Sequence, residues 1–319
     1  MALRIGMVGA GRSALEQARI ISQFPDVEIT AVAEPQRTPR DSFARLFEAR
    51  LAVSDHRRLA SDASVDIVSI CSPPATHSAI AIDALNEKKH VICRPPIAVT
   101  VQQADEMIAA AKENDRKLLI AMPHKYNPVN QEAARIIEAD EIGYPFMAQA
   151  FFVENNYTRL NDWHDWKGTW ESGGGGILME HGPDMIDLLR FLFGEVDAVS
   201  SICTRFAVKA SNKAEDTCLM DLEFLSEISV QLVLTGAAQF SAWPETYSGC
   251  AVGIHIFGVD GSMVINTVTP RLVLSTRKNR RRILEPHDIP TDLPTNMHRD
   301  LLDSIVEDRD PLASAEDAR

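Results

Sequence analysis

Residues 3–14 place the tightest constraint on the fold. An apolar run, Leu3-Arg4-Ile5-Gly6-Met7-Val8, passes directly into Gly9-Ala10-Gly11-Arg12-Ser13-Ala14. Glycines at the first and third positions of such a turn, with a small residue at the sixth, let a strand turn sharply into a helix whose amino end points at a pyrophosphate. In this reading Gly9 makes the tight turn and Gly11 lets the backbone approach the phosphates. Arg12 and Ser13 open the helix beside them, and Ala14 lets that helix pack closely on the strand. A motif this short carries weight only in context, and the context is present: a strand before, a helix after, and a second strand from Val27 to Ala33. Glu34 ends that strand about 20 residues past the glycines, where a carboxylate bonds the ribose 2′-hydroxyl of NAD and repels the 2′-phosphate of NADP. Arg37 stands near enough to offer a phosphate a counter-charge, so NADP is the less favoured cofactor rather than an excluded one.

A chain of 319 residues is long enough for two domains, each with its own core. Its 45% hydrophobic and 24% charged residues are those of a globular protein in water. A formal net charge of −13 argues against nucleic acid and against an anionic membrane as partners. The basic run Arg277, Lys278, Arg280, Arg281, Arg282 is read as a solvated hairpin turn. Cysteines 71, 93, 203, 218 and 250 form no C-x-x-C pair and no disulfide-like spacing, which predicts reduced thiols and a cytoplasmic protein. The first strand starts at Leu3, leaving no room for a signal peptide, and no apolar run reaches the length of a membrane span.

Beyond Glu34 the chain alternates: a strand over Asp66–Cys71, a helix over His77–Asn86, a strand over His90–Cys93, a helix over 101–114 and a strand over Lys117–Met122. That alternation predicts one doubly wound parallel sheet over residues 1–123, with ligand at the carboxyl ends of the strands. From residue 124 the texture changes. A helix over 128–139, a strand over 145–154, glycines 173–176 and a helix over Ile177–Phe193 lead into strands at Val196–Ala207, Thr217–Phe224, Ile228–Leu234, Gly253–Phe257, Ser262–Asn266 and Arg271–Ser275. The fold class is therefore α/β, a Rossmann domain followed over 124–319 by an α+β domain with an open, mainly antiparallel sheet. If helices cover only one face of that sheet, a second copy covers the other, as a homo-dimer or tetramer.

The glycine loop, Cys71-Ser72-Pro73-Pro74-Ala75-Thr76-His77, the stretch His90–Thr100 and the stretch Gly174–Asp187 together resemble the Gfo/Idh/MocA family of oxidoreductases, over nearly the whole chain. The resemblance implies NAD or NADP as cofactor and a hydroxyl of a sugar, cyclitol or related polyol as the reacting group. It also assigns Ser72, Pro73 and His77 to the loop that lines the nicotinamide ribose. His77 reads equally well as a helix-start residue bonded to backbone. The family carries Glu-Lys-Pro after its fourth strand, and that lysine reaches both the cofactor ribose and the reacting hydroxyl. Here the positions hold Arg94, Pro95 and Pro96. Arg94 brings positive charge toward the cofactor, but with a pKa above about 12 it relays no proton. The second family motif is Asp-x-Gly-x-His-x-x-Asp, and this chain has Glu180, Gly182, Asp184 and Asp187, a carboxylate replacing the imidazole. The resemblance further implies a long helix after a segment like His298–Pro311, which this sequence, ending at Arg319, does not contain.

On a helix Glu180, Asp184 and Asp187 fall at i, i+4 and i+7 and share one face, with His181 three residues before Asp184. Crowded carboxylates repel, which lifts at least one of them above the isolated Asp value of roughly 3.9. Asp184 is the candidate base, with Glu180 and His181 beside it. Lys125 is the candidate substitute for the absent lysine, and Asp187 is a substrate contact or a brace of the helix. Glu180, His181 and Asp184 are of metal-ligand type, yet neighbours on a helix diverge by about 100°, so no metal is expected. Trp163, Trp166 and Trp170 crowd the loop before Gly173, where aromatics suit a sugar face or core packing. Three functions are open at this point: an NAD-dependent polyol oxidoreductase with a rewired acid–base set, a redox-inactive nucleotide-binding regulator, and a lyase or glycosidase-like enzyme that uses NAD transiently.

Overall fold

In the computed structural model, which describes residues 2–155, 169–207, 214–238, 250–278, 280–289 and 293–319, the first strand enters the sheet where its glycines require. Strand β1 (Leu3–Val8) lies between β2 (Val27–Ala33) and β4 (Ile67–Ile70) in a six-stranded sheet of order β3-β2-β1-β4-β5-β6, with β3 (Leu51–Val53), β5 (His90–Cys93) and β6 (Leu118–Ile120) completing it. All five pairings are parallel. The order reverses between β1 and β4, and such a reversal opens a crevice at the carboxyl ends of the two strands. Helices α1 (Arg12–Ile21), α2 (Arg37–Phe47), α3 (His56–Ala60), α4 (His77–Asn86) and α5 (Val101–Asn114) connect the strands. Ile5, Met7, Ala14, Ala18 and Ile67 are fully buried in one apolar cluster, so α1 and β1 meet over small residues.

The second sheet has eight strands in the order β14-β13-β12-β11-β7-β10-β9-β8. They are β7 (Pro145–Glu154), β8 (Val196–Thr204), β9 (Thr217–Phe224), β10 (Ser229–Thr235), β11 (Cys250–Gly258), β12 (Gly261–Asn266), β13 (Arg271–Thr276) and β14 (Arg282–Leu284). Among the described residues, β7 with β10 is its parallel pairing and the rest are antiparallel. Alternation is strict in β9, where Cys218, Met220, Leu222 and Phe224 point inward. That inward face packs under α6 (Pro128–Glu138) and the helix over Ile177–Phe193, burying Ile136, Leu188, Leu189, Leu232 and Ile254. The basic run forms the turn between β13 and β14, and Arg282 lies 3.7 Å from both Glu132 and Glu141.

Three expectations are revised. The compact units are residues 1–122 with 296–319, and residues 123–295, so the carboxyl-terminal segment belongs with the Rossmann unit rather than with the second domain. Leu301 and Leu302, on the helix Met297–Val306, are fully buried in the same cluster as Ile5. The buried Asp300 pairs with Arg309 at 2.7 Å and accepts the Leu312 N–H, which ties down the tail. Chain order favours the neighbouring domain, and nothing local in the sequence announces such a return. Second, Cys203 and Cys218 are joined as a disulfide rather than reduced. The β8–β9 register sets them directly opposite each other with Cα atoms 4.2 Å apart, a cross-strand proximity that sequence spacing alone does not reveal. Third, α2 and the short elements β3, α3 and β14 are not marked by periodicity.

His90 Nδ1 accepts the Lys117 N–H at 3.1 Å, linking β5 to the start of β6. Burial first, then the charges of Arg116 and Lys117, pushes its pKa down to about 4. The folded value lies below the ordinary 6.5, so the unfolded chain binds the extra proton between the two. The stability His90 contributes is thus present above pH 6.5 and lost as pH falls toward 4. Melting temperature should drop over that window, and less steeply in His90→Asn, whose Oδ1 takes the same N–H without gaining charge. Equal slopes in the two proteins would remove His90 as the cause.

Candidate active site

At the carboxyl end of β1 the backbone does what the glycines permit. Gly9 has φ +100°, and a Cβ there would come within 2.9 Å of the Cys71 carbonyl oxygen. Gly11 caps α1 in an extended conformation without a side-chain bond, and a Cβ on it would meet nothing within 4 Å. The first turn of α1 carries no acidic residue and no side-chain cap, so no side chain there offsets the positive end of the helix dipole. The Glu34 carboxylate accepts the Ala10 N–H at 3.2 Å and the Gln36 N–H at 2.9 Å, which fixes it beside the glycine turn. Arg37 lies 3.4 Å from Asp41, and Arg12 lies 2.8 Å from Glu16 on the exposed side of α1. Room for a pyrophosphate, unopposed N–H groups and an anchored carboxylate together fit NAD.

The loop after β4 is held from below. Ser72 Oγ and Thr76 Oγ1 lie 2.7 Å apart, and Pro73 leads into a 3-10 turn over Pro74–Thr76. His77 is fully buried, with Nε2 2.8 Å from the Ser72 carbonyl oxygen and Nδ1 2.9 Å from that of Pro96. Of its two sequence readings, the geometry is that of a brace between the Ser72 loop and the Arg94–Pro96 loop. Burial keeps His77 below the ordinary histidine pKa. Arg94 follows β5 and donates its backbone N–H to the Ile70 carbonyl at 3.3 Å. His298 is not among the site residues expected from the sequence. Burial holds it neutral down to about 4, and nearby Arg94 adds to the effect.

In the second unit the acid–base candidates share the helix Ile177–Phe193, here α8, which follows the short α7 (Trp170–Gly173). Its amino end is capped from a distance. The buried Glu215 carboxylate accepts the N–H groups of Gly176 (3.0 Å) and Leu178 (3.2 Å), and the Glu215 carbonyl accepts that of Ile177 (3.1 Å). Gly176 is obligatory, because a Cβ there would stand 1.8 Å from the Glu215 carbonyl oxygen. One turn further on, Gly182 and Pro183 both disfavour a helix interior, so packing rather than propensity keeps this stretch helical.

Two polar clusters face α8. Lys125 Nζ lies 2.8 Å from Asp187 Oδ1, the side chains being 8% and 1% exposed. The turn that carries Lys125 is pinned by α6: Asn130 Nδ2 donates to the His124 carbonyl and Gln131 Nε2 to the Lys125 carbonyl, both at 2.9 Å. In the second cluster His181 Nε2 lies 3.1 Å from Glu154 Oε1 and 3.6 Å from Glu180 Oε1, and the Phe152 ring stacks on His181 at 3.9 Å. His124 is held at about 4, by burial first and by neighbouring His181 second. The expected divergence of residues 180 and 181 does not separate them, because both side chains are long enough to turn toward β7. Glu154 was not singled out in the sequence. Its signal was available: it continues the inward phase of Ala148, Ala150 and Phe152, where an acidic residue is out of place. Trp163 and Trp166 lie outside the described residues, and Trp170 is exposed at the start of α7.

A family model described as an oxidoreductase family with an NAD-binding Rossmann fold matches residues 3–122, and the Gfo/Idh/MocA C-terminal domain model matches residues 130–264. An uncharacterised oxidoreductase of Bacillus subtilis is 25% identical over 273 residues, 84% of this chain and 75% of that protein. Levoglucosan dehydrogenase of Pseudarthrobacter phenanthrenivorans is 27% identical over 210 residues, 63% of this chain and 53% of that one, so the match spans about half of it. A solved levoglucosan dehydrogenase in complex with NADH superposes with a TM-score of 0.86 at 21% identity, covering 100% of this chain and 93% of that one, which establishes a shared fold.

Removing one partner of a buried ion pair typically costs about 3–5 kcal/mol, whereas replacing both by apolar groups is often neutral. Lys125→Met should therefore destabilise the protein by about 3–5 kcal/mol in urea unfolding, and Lys125→Met combined with Asp187→Leu should restore most of that loss. Additive losses would show that the two side chains contribute separately.

Proposed function

Because the chain belongs to the Gfo/Idh/MocA family of NAD-binding oxidoreductases, we propose that it oxidises or reduces a hydroxyl-bearing carbon of a sugar, cyclitol or similar polyol, with Asp184 taking or returning the hydroxyl proton. The observation that carries this reading is the polar row on α8, where Asp184 follows Glu180 and His181 by one turn and precedes the Lys125–Asp187 pair. A relative named as a levoglucosan dehydrogenase supports the substrate class.

The cofactor contacts fall to Gly9, Gly11, Arg12, Ser13, Glu34, Ser72, Pro73 and Arg94, with His77 holding the loops that carry the last three. When bound, NAD supplies the hydride acceptor and, reduced, the hydride donor. Glu34 selects against a 2′-phosphate by charge. Pro95 has no ionisable group, so the proton must move elsewhere. The Lys125 ammonium is paired with Asp187 and fixes charge and position rather than relaying a proton. Asp184 stands on a face that already carries Glu180 and Asp187, and like charges on one face favour proton uptake by one of them. A positioned general base contributes on the order of a hundredfold in rate or more. Trp170, with Trp163 and Trp166, is assigned to the sugar face.

The open face of the second sheet is the proposed contact between copies. Along one register row it presents Ile202, Leu219, Val233 and Phe151, the first two 65% and 47% exposed. The adjoining row carries Val264, Val273 and Ile283 on the far strands and turns polar at His255, Gln149, Gln231 and Asp221. A solvated antiparallel face ordinarily alternates to polar residues, and an apolar stretch as exposed as Ile202 and Leu219 marks an interface, which between identical chains is met most simply by two-fold symmetry. Among the described residues no helix is long and apolar enough to cross a membrane. A cytoplasmic location is proposed from the cofactor and not from cysteine usage, since Cys203 and Cys218 are joined.

Asp184→Asn should lower the rate of NADH formation or consumption with a responsive polyol by roughly a hundredfold, with the NADH dissociation constant unchanged within a factor of two. Binding of NADH without any hydride exchange in the unmodified protein would favour a regulator, and product formed without net change in NADH would favour a lyase. Light scattering after size exclusion should report a dimer or tetramer that dissociates in Ile202→Lys with Leu219→Lys. A monomeric parent would overturn the interface.

A further inference from the structure

The cluster on the strand side of α8 has the donor set of a metal centre. Glu154, the last residue of β7, meets Glu180 and His181 from the first turns of α8, and one donor atom from each lies within 4.8 Å of the other two. Donors held about 2.0–2.1 Å from a tetrahedral Zn²⁺ are separated by about 3.3–3.4 Å along each edge. The spacings of 3.1 Å and 3.6 Å from His181 Nε2 to the two carboxylates bracket that edge. Two carboxylate oxygens and one imidazole nitrogen converging in this way is an arrangement that can hold a cation.

Local structure keeps these donors where they are. Phe152 lies over the His181 ring at 3.9 Å and 19°, so packing sets the plane of the imidazole. Glu154 points inward because it keeps the phase of Phe152, and Cys250 opposes it across the β7–β11 pairing. Glu180 and His181 are fixed through α8, whose first turn is tied to Glu215. All three ligands are sheltered without being sealed, which leaves room for a further ligand.

We propose that Glu154, Glu180 and His181 bind a first-row divalent cation, Zn²⁺ by preference, with a fourth coordination position left open. Mixed imidazole and carboxylate donors suit a borderline cation better than Mg²⁺, which prefers an all-oxygen octahedron. Three protein ligands plus an open position is the composition of a Lewis-acid site rather than of a closed structural one. The proposal rests on the donors alone and adds to the reaction proposed above without depending on it.

Protein stripped with chelator and then dialysed against Zn²⁺ should retain one equivalent by atomic emission. Added Co²⁺ should give the visible absorption of a low-coordinate site. His181→Ala, and Glu154→Gln combined with Glu180→Gln, should each weaken Co²⁺ binding by more than the roughly 10–100-fold that loss of an outer-shell partner costs. His181→Cys keeps a donor, so it should retain Co²⁺ and add a sulfur-to-metal charge-transfer band in the near ultraviolet, which no structural role of His181 produces. Circular dichroism and NADH binding, read on the same samples, show that each variant is folded and keep this test apart from that of the reaction. Trace metal uptake by the unmodified protein, or undiminished Co²⁺ binding in His181→Ala, would overturn the site.

Discussion

The ion pair between Lys125 and Asp187 governs the second unit. A carboxylate that is 1% exposed is tolerated because a cation lies 2.8 Å away, and that cation is itself withdrawn from water. Each therefore requires the other, and the requirement fixes the turn after residue 123 against the middle of α8. The hydrogen bonds from Asn130 and Gln131 to that turn extend the constraint into α6. This charged contact acts with the buried Met185, Leu188 and Leu189 and with the Glu215 cap to hold α8 in place.

Pairing of Lys125 with Asp187 bears on how the departures from the family motifs fit together. Pro95 stands where the family places a lysine after its fourth strand, and Lys125 is the candidate substitute that the resemblance offers. As half of a buried pair its ammonium has a standing partner, so it offers a fixed positive charge more readily than a mobile proton. In the reading proposed above the proton passes to a carboxylate, Asp184, which stands where the resemblance puts the family histidine. The cofactor end is unaltered: Gly9, Gly11 and Glu34 sit as a dinucleotide requires. The nucleotide-binding motif is thus intact in this chain, while the lysine and histidine positions of the family motifs hold Pro95 and Asp184.

What was legible in the sequence was local. Glycines at 9 and 11, the small Ala14 and the acidic end of β2 identify the nucleotide loop because all of them act within one β-α-β unit. The face shared by Glu180, Asp184 and Asp187 follows from helical period alone. The missed features depend on register or on chain return. Cys203 meets Cys218 only once β8 is paired with β9, and Glu154 meets His181 only once β7 is seated under α8. Glu215 reaches Gly176 across 39 residues, and the segment from 296 returns to the first unit after the whole second unit has been built. No period of 2 or 3.6 encodes contacts of that separation.

The unusual composition of α8 follows from the same separation of scales. Glycines 173–176, Gly182 and Pro183 are poor helix formers, and a helix built on propensity would exclude them. Two of them are accounted for by close contacts, Gly176 with Glu215 and Gly182 with Leu178 one turn earlier on the same helix. Gly176 admits the Glu215 backbone, the Glu215 carboxylate satisfies the amino-terminal N–H groups, and a Cβ on Gly182 would stand 2.8 Å from the Leu178 side chain. The helix is imposed by its surroundings. It is held at its amino end by Glu215 and in its middle by Lys125, with the titratable residues between those two anchors. A helix restrained at both points keeps Asp187 on Lys125, and Glu180 and His181 beside Glu154, in two distinct polar clusters.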